Sequence, residues 1–227
     1  LDKNYLRGVI PWKEHAMSQP TLVLHGTALS GHVHRVILLL RMLDLPYRLE
    51  EASAPIRDTP AFRALNPLGQ IPVLQDGDLV LADSNAILVY LARRYDAGGR
   101  WLPTEPVAEA RVQRFLSLAA GELAFGPALA RAVTLWGMPG DAERARVVAA
   151  RLLTFLEGHL ADRRFLAAEA PTIADLACYG YVARSPEGRI SLEPYLAVRA
   201  WLARVEALDG FVPIPSSPIP SSEVPAT

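Results

Sequence analysis

The sequence predicts two consecutive domains, an α/β domain of βαβ(α)ββα order and then an all-α helical bundle. Three observations carry this prediction. Strand-length apolar runs alternate with helical periodicity only up to about residue 97. Gly98, Gly99, Pro103 and Pro106 then crowd into one short segment, and beyond Pro106 every periodic stretch is helical. The expected boundaries are a tag or unstructured leader over 1–17, the first domain over 18–97, a linker over 98–106, the helical domain over 107–211 and a Pro/Ser-rich tail over 212–227. With 227 residues, 51% of them hydrophobic, the chain can fill one large or two modest cores.

Thr21 to His25 reads TLVLH, a short run rich in β-formers that stops at Gly26 and so predicts a buried strand. From His32 onward Val33, Val36, Ile37, Leu40 and Leu43 recur at three- and four-residue spacings, an amphipathic helix that ends before Leu45-Pro46. Tyr47 to Glu50 follows as a strand, and the right-handed βαβ rule makes it parallel to the first. Thr59 to Leu65 has room for one or two helical turns before Asn66-Pro67. Gln70 to Gln75 and Asp78 to Leu81 read as an antiparallel pair joined at Asp76-Gly77. A helix capped by Asp83 or Ser84 closes the domain, with Ile87, Leu88, Leu91 and Tyr95 as its buried stripe. Helical periodicity then marks Val107 to Leu123, Asp141 to Leu160, Thr172 to Val182 and Leu192 to Leu208. The prolines of the tail suit an extended or disordered segment.

Composition narrows the function classes. A formal net charge of -1 with no long Lys/Arg run lacks the electrostatic footprint of a nucleic-acid or anionic-membrane binder. The longest apolar run near the start, Val36 to Leu40, is far below the roughly 20 residues that cross a bilayer. Cys178 is the single cysteine, so the chain can build neither an internal disulfide nor a CxxC pair, and a reducing cytoplasm is the expected compartment. His32 and His34 sit two apart on a helix and diverge, which argues against a metal site; one of them is expected near a bound sulfur or facing solvent.

The segment Asn66-Pro67-Leu68-Gly69-Gln70-Ile71-Pro72-Val73-Leu74, followed by Leu81-Ala82-Asp83-Ser84-Asn85-Ala86-Ile87-Leu88 and Tyr90-Leu91, closely resembles the N-terminal domain of the cytosolic glutathione S-transferases. Ile71 stands for the family's usual valine and Asp83 for its usual glutamate. Leu24-His25-Gly26 through Ser30 and Arg35-Val36 is similar to the family's first βαβ unit, and Pro171-Thr172-Ile173-Ala174-Asp175 to a helix start in its second domain. The resemblance implies a thioredoxin-like first domain, glutathione as co-substrate, a homodimer, and a small hydrophobic electrophile as second substrate. It further implies a cis Ile71-Pro72 bond, with the backbone of Ile71, beside Gln70, pairing with glutathione as an added strand would. Taken alone, Pro72 also suits a plain strand-entry proline. Asp83 and Ser84 would hold the γ-glutamyl end at a helix N-terminus, although the same pair can serve as an ordinary cap.

A free thiol with a pKa near 8.5 is mostly protonated at neutral pH, so the chemistry needs a hydroxyl that stabilises the thiolate. Ser30, between the first strand and the first helix, is the candidate; Thr27 is the alternative, and simple capping also accounts for a serine there. His32 is a further glutathione-site candidate. Asp175 reads as a structural capping-box residue. Phe115, Leu118, Phe125 and Trp136 are candidates for the electrophile pocket, with burial in the bundle as the competing role for each. Two other activities stay open: a glutathione-dependent peroxidase or disulfide reductase, and a non-catalytic interaction protein on the same scaffold.

Overall fold

The structure is a computed structural model and describes residues 22–217. The leader over 1–17 and the end of the tail lie outside the described residues. Four strands, β1 (Leu22–Gly26), β2 (Tyr47–Glu51), β3 (Val73–Asp76) and β4 (Leu79–Ala82), form one sheet in the order β2-β1-β3-β4. β1 and β2 run parallel while β3 is antiparallel to both β1 and β4, so the expected topology is present. β3 starts at Val73, three residues later than the sequence suggests, because Pro72 has no N–H to give the ladder. The β3–β4 turn is also one residue later, Gly77-Asp78, and Asp76 stays in register opposite Leu79. Asp76 is held there by the hydroxyls of Tyr90, at 2.7 Å, and Tyr95, both donating to its Oδ2.

Helices α1 (Gly31–Met42) and α4 (Ser84–Tyr95) cover one sheet face, and the short helices α2 (Ala54–Arg57) and α3 (Pro60–Leu65) come between them in the chain. Side chains alternate across β3: Leu74 joins the main core, whereas Val73 joins Phe62 and Ala52 in a small second core on the opposite face. The second half contains α5 (Pro106–Ala120), α6 (Leu129–Trp136), α7 (Ala142–Leu160), α8 (Ile173–Ala183) and α9 (Leu196–Glu206). Helix α6 is absent from the sequence reading, which places no helix between Leu123 and Asp141. Instead a π-helical turn over Ala124–Ala128 absorbs Pro127, and helix continues to Trp136. Gly126 is needed there, because a Cβ would lie 2.9 Å from the backbone nitrogen of Ala149 in α7.

The whole run Pro106–Trp136 is long and apolar enough, by length and composition alone, to cross a bilayer. Core helices of bundles pass the same test, and here Val112, Phe115, Leu116, Ala119, Leu123 and Ala130 are all buried in the main core. That core is continuous across both halves of the chain. Its consequence for α1 is decisive. The sequence pattern is that of an amphipathic helix with one solvent face, yet every residue from Val33 to Leu40 is buried, because α8 lies on the side away from the sheet. His34 is 1% exposed, so of the two placements expected for one of the histidines, near a bound sulfur or facing solvent, it does not take the second.

The Pro/Ser-rich tail, expected to be extended or disordered, is described as far as residue 217. Through residue 217 it is extended but docked: Ile214 is buried, the carbonyl of Val212 accepts from His34 Nε2 at 2.8 Å, and the N–H of Ser217 donates to Glu187 Oε1 at 3.2 Å. The carbonyl of Ile214 accepts from Arg184.

Candidate functional site

The site is built where the N-termini of α1 and α4 meet under α8. Ser30 is the N-cap of α1, in extended conformation, and its Oγ accepts from the N–H of Val33 at 3.3 Å. The N–H of Ser30 closes a turn onto the carbonyl of Thr27 at 3.2 Å, so Thr27 lies one turn away from the helix start. Asp83 is the N-cap of α4 with a positive φ of 74°, and its Oδ1 accepts from the N–H groups of Asn85 and Ala86 at 2.8 and 2.9 Å. Asp83 is exposed, and this cap occupies one carboxylate oxygen. Ser84, the first residue of α4, is buried.

Arg35 ties the two helix starts together. Its Nη1 donates to Ser84 Oγ at 3.2 Å and to Asn85 Oδ1 at 2.9 Å, and Ser84 Oγ lies 3.4 Å from His32 Nδ1. Asn85 Nδ2 in turn donates to the carbonyl of Leu116, linking the pair to α5. Burial is the main influence pushing His32 down to about 3, with the Arg35 charge adding to it, so the imidazole is neutral at physiological pH. Arg35 is 1% exposed and always charged, yet its Nε and Nη2 have no hydrogen-bond partner among the described residues. A buried guanidinium with two unused donors, set beside two positive helix ends, favours an anion.

Tyr181 of α8 closes the top. Its ring meets His32 edge-on at 5.0 Å, with the Arg35 guanidinium 6.0 Å from its centroid, and it is 8% exposed. The ring lies against the start of α1, where a Cβ at Gly31 would be 2.7 Å from Tyr181 Cζ and 2.9 Å from each Cε. The Ser30 loop is also gripped from the helical half: Arg131 Nη1 donates to the carbonyl of Leu29 at 2.8 Å, and Arg131 Nε makes a buried 2.6 Å ion pair with Glu187.

The remaining sequence candidates lie across the sheet edge. The Ile71-Pro72 peptide is cis, and Ile71 sits just ahead of the β1–β3 ladder, which begins at Val73. Gln70 is exposed, with its carbonyl accepting from buried Asn66 Nδ2 at 2.8 Å. Asn66 Oδ1 also accepts from the N–H of Leu68 at 3.1 Å, so one side chain shapes the loop ahead of Pro72. Of the four pocket candidates Phe115 is in the core, and Leu118 and Phe125 line an open groove of about 700 Å³ between α5 and α7 that includes no residue of the first domain. Trp136 is half exposed, with the Arg131 guanidinium 5.0 Å from its ring, which puts it on the side of the Ser30 loop. The sequence reading assigned no role to Tyr181, Asn85 or Arg131. Gly31 was the available signal, since a glycine inside a helix start marks a close approach.

The fold and this site together define a thioredoxin-like domain carrying an anion-seeking pole and completed by a helical bundle. Comparison with known proteins is specific. The domain family described as Glutathione S-transferase, N-terminal domain matches residues 24–101, and the corresponding C-terminal domain matches 133–209. Glutathione S-transferase 3 of Zea mays is 33% identical over 222 residues, covering 88% of this chain and 98% of its own. Glutathione S-transferase theta-2 of Homo sapiens is 35% identical over 66% of this chain and 65% of its own. Among solved structures, a glutathione S-transferase from Pseudomonas fluorescens aligns with TM-score 0.80 at 31% identity, covering 86% of this chain and 98% of that one. A theta class glutathione S-transferase from Xanthomonas axonopodis pv. citri, with glutathione bound, aligns with TM-score 0.76 at 27% identity, covering 85% and 95%. The chain belongs to the glutathione S-transferase family.

Proposed function

We propose that this transferase conjugates glutathione to a small hydrophobic electrophile, with the Ser30 hydroxyl donating to the glutathione thiolate. The observation that carries this reading is the convergence of two helix N-termini through Arg35, with Ser30 at one and Asp83-Ser84 at the other. A hydroxyl at a positive helix end stabilises an anion by hydrogen bonding and by the helix field. Glutathione supplies the nucleophilic sulfur; the residues of this chain bind, orient and hold its charge. The γ-glutamyl end meets the start of α4 at Ser84, the free oxygen of Asp83 faces its amine, and Gln70, Ile71 and Pro72 offer backbone to the cysteinyl part. His32, kept neutral, fills the space between Ser84 and Tyr181 without adding charge. Ser30 is favoured over Thr27 because Ser30 itself caps α1. Trp136 is the aromatic best placed to border the electrophile, whereas Phe115 is core. Cys178 is buried and its thiol is pushed up to about 12, which disfavours thiol exchange by the chain itself.

The test is Ser30→Ala. The thiol pKa of bound glutathione, read by ultraviolet titration, is expected to rise toward the free value, and kcat/KM at neutral pH to fall about 100-fold with little change in glutathione KM. A bound thiol that titrates like the wild-type complex would reject the mechanism. We further propose a homodimer. Exposed Leu68, Leu79 and Val80 on the first domain and the groove bordered by Phe125 and Phe155 on the second are apolar surfaces suited to mutual burial. Light scattering that returns the mass of a single 24.7 kDa chain would overturn this.

A further inference from the structure

We infer that Arg131, contributed by the helical domain, is a positioning residue for the Ser30 hydroxyl: it fixes the peptide plane that joins Leu29 to Ser30. The inference rests on the reading of Ser30 given above. A trans peptide is a rigid plane with its carbonyl on one side and its N–H on the other, so hydrogen bonds at both sides set its tilt. In the plane ahead of Ser30 the N–H donates to the carbonyl of Thr27 at 3.2 Å, and the carbonyl, that of Leu29, accepts from Arg131 Nη1 at 2.8 Å. The plane after Ser30 belongs to α1, because the Ser30 carbonyl accepts from the N–H of His34 at 2.9 Å. Between them the two planes direct the serine side chain, and the helical domain holds the first.

The guanidinium is itself held. Arg131 Nε donates to Glu187 Oε2 at 2.6 Å, and the two side chains are 1% and 8% exposed. Glu187 Oε1 accepts from the N–H of Ser217 at 3.2 Å, with Arg184 Nε 3.6 Å from the same oxygen. The Trp136 ring covers the guanidinium at 5.0 Å. Two nitrogens of one planar group therefore bridge Glu187 and the Leu29 carbonyl, a span that suits a rigid fork and not a point charge. The sequence prepares this approach at Gly188, where a Cβ would lie 2.9 Å from the backbone nitrogen of Arg131; glycine lets the turn Ser185–Gly188 reach α6. A buried ion pair adds little to stability, since desolvation offsets much of the attraction. Set against the Leu29–Ser30 peptide, it supplies aim instead. Without Arg131 the plane can rock about its bond to Thr27, and Ser30 Oγ meets the sulfur out of line.

The Arg131→Met/Glu187→Gln double variant removes both buried charges together, so neither is stranded, and the amide keeps an acceptor for the N–H of Ser217. The expected result is a bound-thiol pKa, read by ultraviolet titration, higher by about half a unit to one unit, which is about a three- to tenfold loss of thiolate below that pKa. There kcat/KM falls by the same factor, the profiles approach each other at high pH, and glutathione KM changes by less than about twofold. A lesser fraction of folded enzyme would lower the rate equally at every pH and leave the bound thiol where it was; that outcome overturns the inference. Arg131→Lys keeps the charge but has no fork to span both partners, and it serves if the double variant folds poorly. The thiol pKa should again rise, and an unchanged value points to charge alone and counts against positioning. The same pair of changes made on Ser30→Ala separates the two readings. No further shift beyond that of Ser30→Ala supports action through the serine, whereas an added shift shows the cation acting on sulfur directly and overturns it. If Ser30→Ala raises the thiol pKa and the double variant does not, only this inference fails; if Ser30→Ala itself leaves the thiol unmoved, the serine reading fails and takes this one with it.

Discussion

Helix α8 carries a buried polar network at each end, and the two are built in opposite ways. At its N-terminus Asp175 is fully buried, with every bond filled. Its Oδ1 accepts from the N–H of Leu166 and from Trp201 Nε1, both at 2.9 Å, and its Oδ2 from the N–H of Thr172 at 2.9 Å and the Thr172 hydroxyl at 3.4 Å. Toward its C-terminus Tyr181 roofs a cluster in which Arg35 Nε, Arg35 Nη2 and His34 Nδ1 lack hydrogen-bond partners among the described residues. A closed network holds a fold; an open one, kept at a cost in stability, is left for a ligand or a proton. Asp175 thus stabilises the helical domain, while the Arg35 cluster keeps donors unused, as the proposed glutathione site requires.

The largest effect that could break this contrast is at the closed end. Asp175→Ala strands three N–H donors, each costing about 1–3 kcal/mol, so urea unfolding is expected to show a loss on the order of 4 kcal/mol. Ser30→Ala, at the open end, should cost only about 1 kcal/mol as a lost cap. Comparable losses in the two variants would erase the distinction.

A smaller effect sharpens it. Burial, partly offset by the hydrogen bond to the Val212 carbonyl, pulls His34 down to about 4, with the charges of Arg184 and Arg35 acting in the same direction as burial. An unfolded histidine titrates near 6.5, so between those values the unfolded chain binds more protons, and stability rises with pH. The His34 contribution is therefore complete above about pH 6.5 and is lost as pH falls toward 4. Between pH 6.5 and pH 5 that amounts to about 2 kcal/mol. His34→Gln should flatten the wild-type stability profile by that amount over this window, measured by denaturant unfolding at each pH. Parallel profiles would mean that the ring protonates without unfolding anything.

Most of the first domain was legible because its signals are local. Strand runs, the Pro72 interruption and the Asp83-Ser84 helix start depend on neighbours in sequence, and each element appears within a few residues of its expected place. The glutathione-site candidates Ser30, His32, Asp83 and Ser84 were each legible from a local helix-start signal, whereas the contact that brings His32 to Ser84 spans 52 residues. What stayed hidden depends on contacts across 50 residues or more. Nothing local shows that α8 buries the second face of α1, so His34 and Arg35 could not be read as interior groups. Tyr181 reads as one more apolar position in a helix until its ring is seen on Gly31. Helix α6 also went unread, because the close packing of Gly126 on Ala149 of α7, where the chain passes through Pro127, leaves no local signal.

The docked tail changes where this protein ends in a working sense. The C-terminal domain match stops at residue 209, yet Val212 accepts from a ring on α1 and Ser217 touches the carboxylate partner of Arg131, whose other arm holds Leu29 next to Ser30. A chain trimmed at the domain match would keep every residue proposed for glutathione and lose the outer fastening of the loop that presents the Ser30 hydroxyl. Val212 to Ser217 thus act as a splint on the start of α1, although the whole helical domain separates them from it in the chain.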